Sequence, residues 1–292
     1  MRLKLLHGAY ALRATVVCAL LVCAALLAHA RRAAAQVDPW EFEVYPYMTE
    51  GRGVFELETN NAVVPNGHNQ GDNGTASGTF PSQGRWYNEY ELTYGLTDRI
   101  EAAAYLDMAQ VRGHGYWYAG SKYRLRGRLF DQDVLPVDLG WYAELEWRKT
   151  PQFDESALEV ELRPIIAKDI GRFSVMLNPK FEKPIFFGPE KNKGFEFGYA
   201  SAVYYRWRRW LSPGIEFYGG VGNIQDNDPL HEQQHYIFPV LWGRLPHGIE
   251  YNLGPGFGLT RGSDRVLVKF NLEFERFVGA VLGPSSDSGW FF

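Results

Sequence analysis

The chain has 292 residues, 46% of them hydrophobic and 15% aromatic, with 30 basic against 34 acidic side chains and two cysteines. Both cysteines, Cys18 and Cys23, lie in a basic and apolar leader, so the chain that follows it has no disulfide, thiolate nucleophile, cysteine-ligated zinc or attached haem. Five bases and no acids leave with residues 1–35, and the resulting 25 bases against 34 acids lack the net basic face that phosphate binding needs, which excludes a nucleic-acid partner.

Arg2, Lys4 and Arg13 precede an apolar run from Thr15 to Ala28 that is too short to span a bilayer, the pattern of a secretory signal peptide over residues 1–35. Small residues occupy the cleavage positions twice, at Ala28-His29-Ala30 and Ala33-Ala34-Ala35, and the second sets a mature start at Gln36. Val22 before Cys23 argues against lipid attachment. No later stretch reaches the ~18 consecutive apolar residues of a membrane helix. Residues 36–51 are expected as an N-terminal periplasmic segment.

From there the chain sorts by parity. In "WYNEYELTYGLTDRIEAAAYLDM", Trp86, Asn88, Tyr90, Leu92 and Tyr94 alternate with Tyr87, Glu89, Glu91 and Thr93. After a turn at Gly95 to Asp98, Ile100, Ala102, Ala104, Leu106 and Met108 alternate with Arg99, Glu101, Ala103, Tyr105 and Asp107. Period two means a hairpin with one apolar and one charged face. The alternation returns at 137–148 and 265–275, with similar runs near 52–64, 114–128, 155–168, 171–183, 194–208, 212–224, 234–243 and 248–260. About twelve strands of roughly ten to fourteen residues result, the length that crosses a membrane when tilted.

Short turns at 95–98, 168–171, 210–213 and 244–247 alternate with longer connections at 65–83, 149–155, 184–193 and 225–233, although Arg128 to Pro136 is long for a turn and two outer loops are short. Short turns on one side and long loops on the other fit an antiparallel up-and-down transmembrane β-barrel in the bacterial outer membrane, over residues 52–278, with a C-terminal tail at 279–292. A soluble β-sandwich is the alternative all-β fold. It fits less well, because the charged face is too continuous for a core and the other too aromatic for a wet surface. Closure puts the apolar face against lipid and leaves no edge strand. Trp86, Trp117, Trp141, Trp147, Trp207 and Trp242 are expected in the interfacial aromatic belts.

The segment "YELTYGLTDRIEAAAYL", Tyr90 to Leu106, resembles the recurring hairpin of proteobacterial outer-membrane barrels grouped with transport proteins of the phenol-degradation (MetA-pathway) type. Glu91, Tyr94-Gly95-Leu96-Thr97-Asp98-Arg99 and Glu101 carry the likeness. The resemblance implies an outer-membrane barrel and a channel for small, including aromatic, compounds.

Expected lumen-lining residues are Glu89, Glu91, Glu101, Asp107, Lys122, Arg124, Arg126, Glu144, Glu146, Glu159, Glu161, Lys180, Glu273 and Glu275. Folding adjacent hairpins brings Glu159 opposite Lys180 and Lys122 close to Glu144, so cross-strand ion pairs are expected. Two readings stay open. The charges either pair off and fill a narrow, non-conducting lumen, or form an acidic wall facing a basic ladder that orients polar solutes in a narrow passive channel. A third use of the ladder, guiding acidic oligosaccharides, is disfavoured by the surrounding glutamates. No cofactor is expected. The expected partners are the lipid bilayer with its lipopolysaccharide, small solutes, and the barrel-assembly machinery, which reads a terminal aromatic such as Phe292.

An enzymatic reading rests on His231-Glu232-Gln233-Gln234-His235, which matches H-E-x-x-H. On a helix this spacing holds zinc and activates water. Here Tyr236 to Trp242 is rich in β-formers and contains Pro239, and on a strand the two histidines would stand about 13 Å apart. A further histidine at the extended motif's spacing is replaced by Leu241. No G-x-S-x-G occurs either. The motif is expected in a polar outer loop, not in a hydrolase or other metal-dependent enzyme. Asp226, Asp228 and His231 form a candidate for an adventitious or structural metal site, ahead of catalytic zinc and behind a plain polar loop.

Overall fold

A computed structural model describes residues 37–71, 78–153, 158–185 and 194–274. The expected signal peptide, Glu275 and the expected C-terminal tail lie outside the described residues. Thirteen strands form one sheet: β1 Phe55–Asn66, β2 Trp86–Thr97, β3 Ile100–Val111, β4 Gly115–Arg128, β5 Asp138–Arg148, β6 Leu158–Ile170, β7 Phe173–Pro184, β8 Glu196–Tyr205, β9 Ser212–Asn223, β10 Asp226–Asn227, β11 Gln234–Leu245, β12 Ile249–Gly258 and β13 Val266–Phe274. β10 is a two-residue ribbon paired with the end of β9. The other twelve are each antiparallel to both neighbours, and β13 pairs with β1, which closes the barrel.

The two sides of the barrel differ. Asp98-Arg99 joins β2 to β3 and Gly171-Arg172 joins β6 to β7, where Gly171 adopts a φ of 59° that favours glycine. The ends of β1 and β2, β5 and β6, β7 and β8, and β9 and β11 on the opposite side are separated by longer stretches of sequence, of which residues 72–77, 154–157 and 186–193 lie outside the described residues. The 129–137 connection is the long exception among the turns.

Pleating divides each strand into two faces. Leu106, Tyr123, Leu162 and Ile215 are exposed on the outside, whereas Glu89, Glu101, Asp107 and Lys122 are completely buried inside. Trp86, Trp117, Trp147, Trp207 and Trp210 are exposed on the outer surface and Trp141 is half-buried. An apolar exterior rich in exposed aromatics around a charged interior is the architecture of an outer-membrane barrel. Pro164 with Pro179, and Pro239 with Pro255, coincide with gaps in the β6–β7 and β11–β12 ladders, because proline has no N–H to donate.

Trp242 departs from the expected belt. It shares the inward parity of Tyr236, Phe238 and Val240, packs partly buried against the interior cluster, and lines the lumen cavity. Both faces of β11 are apolar over most of their length, so alternation there gives no direction.

Candidate functional site in the barrel lumen

The lumen is filled by the chain's own N-terminal segment. Residues 37–51, part of the 36–51 stretch expected in the periplasm, run through the inside of the barrel, and an exposed turn at Arg52-Gly53 then leads to β1. The reason is local: "WEFEVY", Trp40 to Tyr45, alternates large apolar with acidic residues, and the barrel wall offers a complement to each face. Trp40, Phe42 and Val44 are 2%, 2% and 6% exposed and belong to one buried cluster, in which Trp40 meets Tyr87 of β2 and Phe153 edge-on at 4.8 and 5.4 Å while Phe42 packs with Tyr218, Tyr236 and Phe238 of β9 and β11. Glu41 points to the basic wall built by β4 to β7.

The segment's backbone groups also find partners, as buried amides and carbonyls must. Asn178 on β7 accepts from Tyr45 N at 2.7 Å and donates to Tyr45 O at 3.1 Å, replacing a strand neighbour. Lys269 Nζ donates to Phe42 O at 2.9 Å, Trp40 Nε1 donates to Met108 O at 2.8 Å, and Glu50 N donates to Glu101 at 2.6 Å. At the turn side, Gly53 N donates to Gly95 O at 2.8 Å. A Cβ at Gly95 would collide with the carbonyl oxygen of Gly51. The glycine of the Tyr94-Gly95-Leu96 motif is therefore where the N-terminal segment crosses the wall.

The basic wall is neutralised jointly by the barrel and the segment. Lys122 Nζ meets Glu89 at 2.5 Å, Glu41 at 2.8 Å and Asp38 at 3.1 Å. Arg163 bridges Glu161 at 2.5 Å and Glu41 at 2.8 Å, and Arg148 meets Asp107 at 2.6 Å. Arg124 pairs with Glu91 and Glu101, each at 2.7 Å, and Arg126 adds a second contact to Glu101 at 2.7 Å. Lys180 meets Glu161 at 3.0 Å and Glu182 at 3.1 Å. Guanidinium groups also stack on rings: Arg148 over Trp40 at 4.4 Å and Arg163 over Tyr142 at 4.4 Å.

Of the residues expected to line the lumen, Glu89, Glu91, Glu101, Asp107, Lys122, Arg124, Arg126, Glu144, Glu146, Glu159, Glu161, Lys180 and Glu273 share the inward face. Glu275 is outside the described residues. One expected pairing, Glu159 with Lys180, is corrected by register, whereas Lys122 does come close to Glu144, across the β4–β5 diagonal. Lys122 lies opposite Glu146, and Arg124 opposite Glu144, while the Lys122 ammonium turns to Glu41, Asp38 and Glu89. Glu159 lies opposite Pro184, and Lys180 reaches Glu161 instead. Asp38, Glu41, Arg148, Arg163 and Lys269 were not among the residues expected at the site. The alternation at Trp40 to Tyr45 is the signal that points to the first two.

Below this network, toward the turns, a cavity of about 100 Å³ remains. Glu43, Glu56, Glu58, Glu91, Glu250 and Glu273 line it together with Arg124, Arg126, Arg244, Asn252 and Asn271.

The H-E-x-x-H stretch is not helical. Glu232 N and Gln233 N both donate to Pro229 O, at 2.7 and 3.2 Å, closing a turn, and Gln234 then opens β11. His231 is exposed on the outer rim and meets its neighbour Glu232 at 3.3 Å. His235 has both ring nitrogens engaged, with Tyr199 at 3.1 Å and Gln233 at 2.8 Å. Three convergent sets of possible metal-ligand atoms occur among the described residues, and all consist of lumen acids without either histidine.

No family model and no curated protein sequence matches the chain. Among solved structures, an outer membrane channel from Pseudomonas putida F1 superposes with a TM-score of 0.51 at 13% identity, covering 82% of this chain and 99% of that one. LpxR from Salmonella typhimurium aligns with a TM-score of 0.39 at 9% identity, over 75% of this chain and 99% of that one. At such identity the first likeness shows the fold: this chain is a closed twelve-stranded barrel of the outer-membrane type.

Proposed function

We propose that the protein is a passive outer-membrane channel held closed by its own N-terminal segment, and that small solutes pass when the segment is displaced. One observation carries this reading. Residues 38–47 occupy the lumen through bonds made almost wholly to side chains of the wall, so their release leaves the barrel ladder intact. The fold shared with an outer membrane channel supports it. Small polar or aromatic compounds are the proposed cargo; the aromatic class follows from the resemblance of Tyr90–Leu106. A surplus of glutamates around the lower cavity favours cations over anions. The same reading makes lipopolysaccharide the neighbour of the outer rim and the barrel-assembly machinery the route of insertion.

A second reading, a permanently silent barrel, is favoured by the multiple acid contacts of Lys122 and Arg163. Planar-bilayer recording separates the two. The mature chain is expected to show rare, brief openings, and a variant lacking residues 37–50 a steady stepwise conductance with cation-selective reversal potential. Equal silence of both, with the barrel folded, overturns the channel reading. Flux of small phenols into vesicles carrying the truncated variant tests the aromatic cargo.

A further inference from the structure

The geometry points to a divalent-cation site in the lumen, formed by Glu43 of the N-terminal segment with Glu58 of β1 and Glu91 of β2, whose occupant is a hard ion of the calcium class. One carboxylate oxygen from each residue lies within 4.8 Å of the others, about twice a calcium–oxygen bond of roughly 2.4 Å.

Convergent acids alone would not establish a site, but Glu58, which belongs to two of the convergent sets, differs from the ion-paired acids above it. Glu58 is 7% exposed, lines the cavity, and has no hydrogen bond or cation partner among the described residues. Register worsens its position, because Glu58 lies directly opposite Glu91 on one side and Glu273 on the other. Like charges directly opposite one another are destabilising. Glu43 Oε2 and Glu91 Oε2 are likewise buried acceptors without a donor. Three carboxylates thus converge, each with an oxygen that no donor meets, and a buried unpaired carboxylate is costly.

The protein resolves the same problem higher in the lumen. There Asp38, Glu41 and Glu89 converge equally closely, and the Lys122 ammonium sits among them. At the lower triad the cation in ion-pair contact is Arg124, which meets Glu91 through its other oxygen and also contacts Glu101 and Thr93. A cation from solution would fill at the lower level the role that Lys122 fills above. The donors are all oxygens, and Asn271 and Asn252 add amide oxygens to the cavity lining, a set suited to calcium rather than to zinc or copper. Because Glu43 belongs to the N-terminal segment and the other two to the wall, the ion would fasten the segment in place. That consequence rests on the closed-channel reading, whereas binding itself does not.

Calorimetric titration of calcium chloride into the mature chain, refolded in nonionic detergent without lipopolysaccharide and stripped with EDTA, tests the site independently of conduction. One saturable equivalent is expected, with magnesium binding more weakly because it dehydrates reluctantly. Glu58→Gln and Glu43→Gln are each expected to raise Kd by roughly 100-fold or more, and Glu232→Gln in the outer loop to leave it unchanged. Glu43 lies outside every strand, so its variant keeps the test valid if Glu58→Gln fails to fold; unheated gel mobility reports barrel closure. Absence of saturable binding at millimolar calcium, proton uptake in its place, or isotherms for both variants that match the parent would each overturn the proposal.

Discussion

Glu41→Gln is the sharpest test of how the N-terminal segment is held. The Glu41 carboxylate is 4% exposed and contacts two buried cations, Lys122 and Arg163, each at 2.8 Å. Amidation keeps the shape and removes the charge. Deleting one member of a buried ion pair costs about 3–5 kcal/mol, because the remaining charge stays desolvated. Here Lys122 keeps Asp38 and Glu89 and Arg163 keeps Glu161, which puts the effect at the lower end, about 3 kcal/mol. At 1.4 kcal/mol per tenfold, the balance between seated and released segment shifts roughly 100-fold. In planar bilayers the opening frequency should rise by that order, and amide exchange at residues 38–47 should accelerate while the strands stay protected. Burial also limits screening, so the closed state of the parent should survive molar salt. Unchanged opening frequency and exchange in a folded Glu41→Gln barrel would refute the assignment of the segment as the closing element.

Other outcomes follow from the same structure. Lys122→Met strands Asp38, Glu41 and Glu89 together without their ammonium and should cost about 3–5 kcal/mol, read as an earlier loss of the compact band on a heated gel; adding Glu89→Gln should restore part of it. Leu106→Arg, on the lipid face in the body of β3, should destabilise the barrel in vesicles by about 2–4 kcal/mol, against about 0–1 for Trp86→Arg at a strand end, both measured by urea titration. Gly95→Val forces its side chain against the Gly51 carbonyl and should increase conductance by unseating the base of the segment, whereas a conductance equal to the parent would count against that crossing. Calorimetric zinc titration should give the same weak isotherm for His231→Ala as for the parent, because His231 is exposed and shares no ligand cluster with His235; tight stoichiometric zinc lost in the variant would contradict this.

Much of the fold is written locally. Alternation along a strand is a property of consecutive residues, so Trp86 to Met108 specifies its own hairpin and its own inward and outward faces. Repeated around the chain with short turns on one side, it determines a closed barrel with acids and bases inside. The helical spacing of His231 and His235 is likewise cancelled by the β-formers and proline beside them. What the tertiary structure decided lies across the lumen. Trp40 to Tyr45 carries the same alternation as a strand, but no neighbouring sequence marks its partners. Only closure brings the aromatic wall of β8 to β11 and the basic wall of β4 to β7 to either side of it. The partners of Lys122 and Lys180 depend on register and on that segment, and Trp242 faces inward on a strand whose two faces are nearly equally apolar. The triad of Glu43, Glu58 and Glu91 emerges in the same way, since the β1–β2 hairpin sets Glu58 opposite Glu91 but only the seating of the N-terminal segment in the closed barrel brings Glu43 to them. Local chemistry sets which face a residue takes; the long-range closure of the sheet sets what stands opposite it.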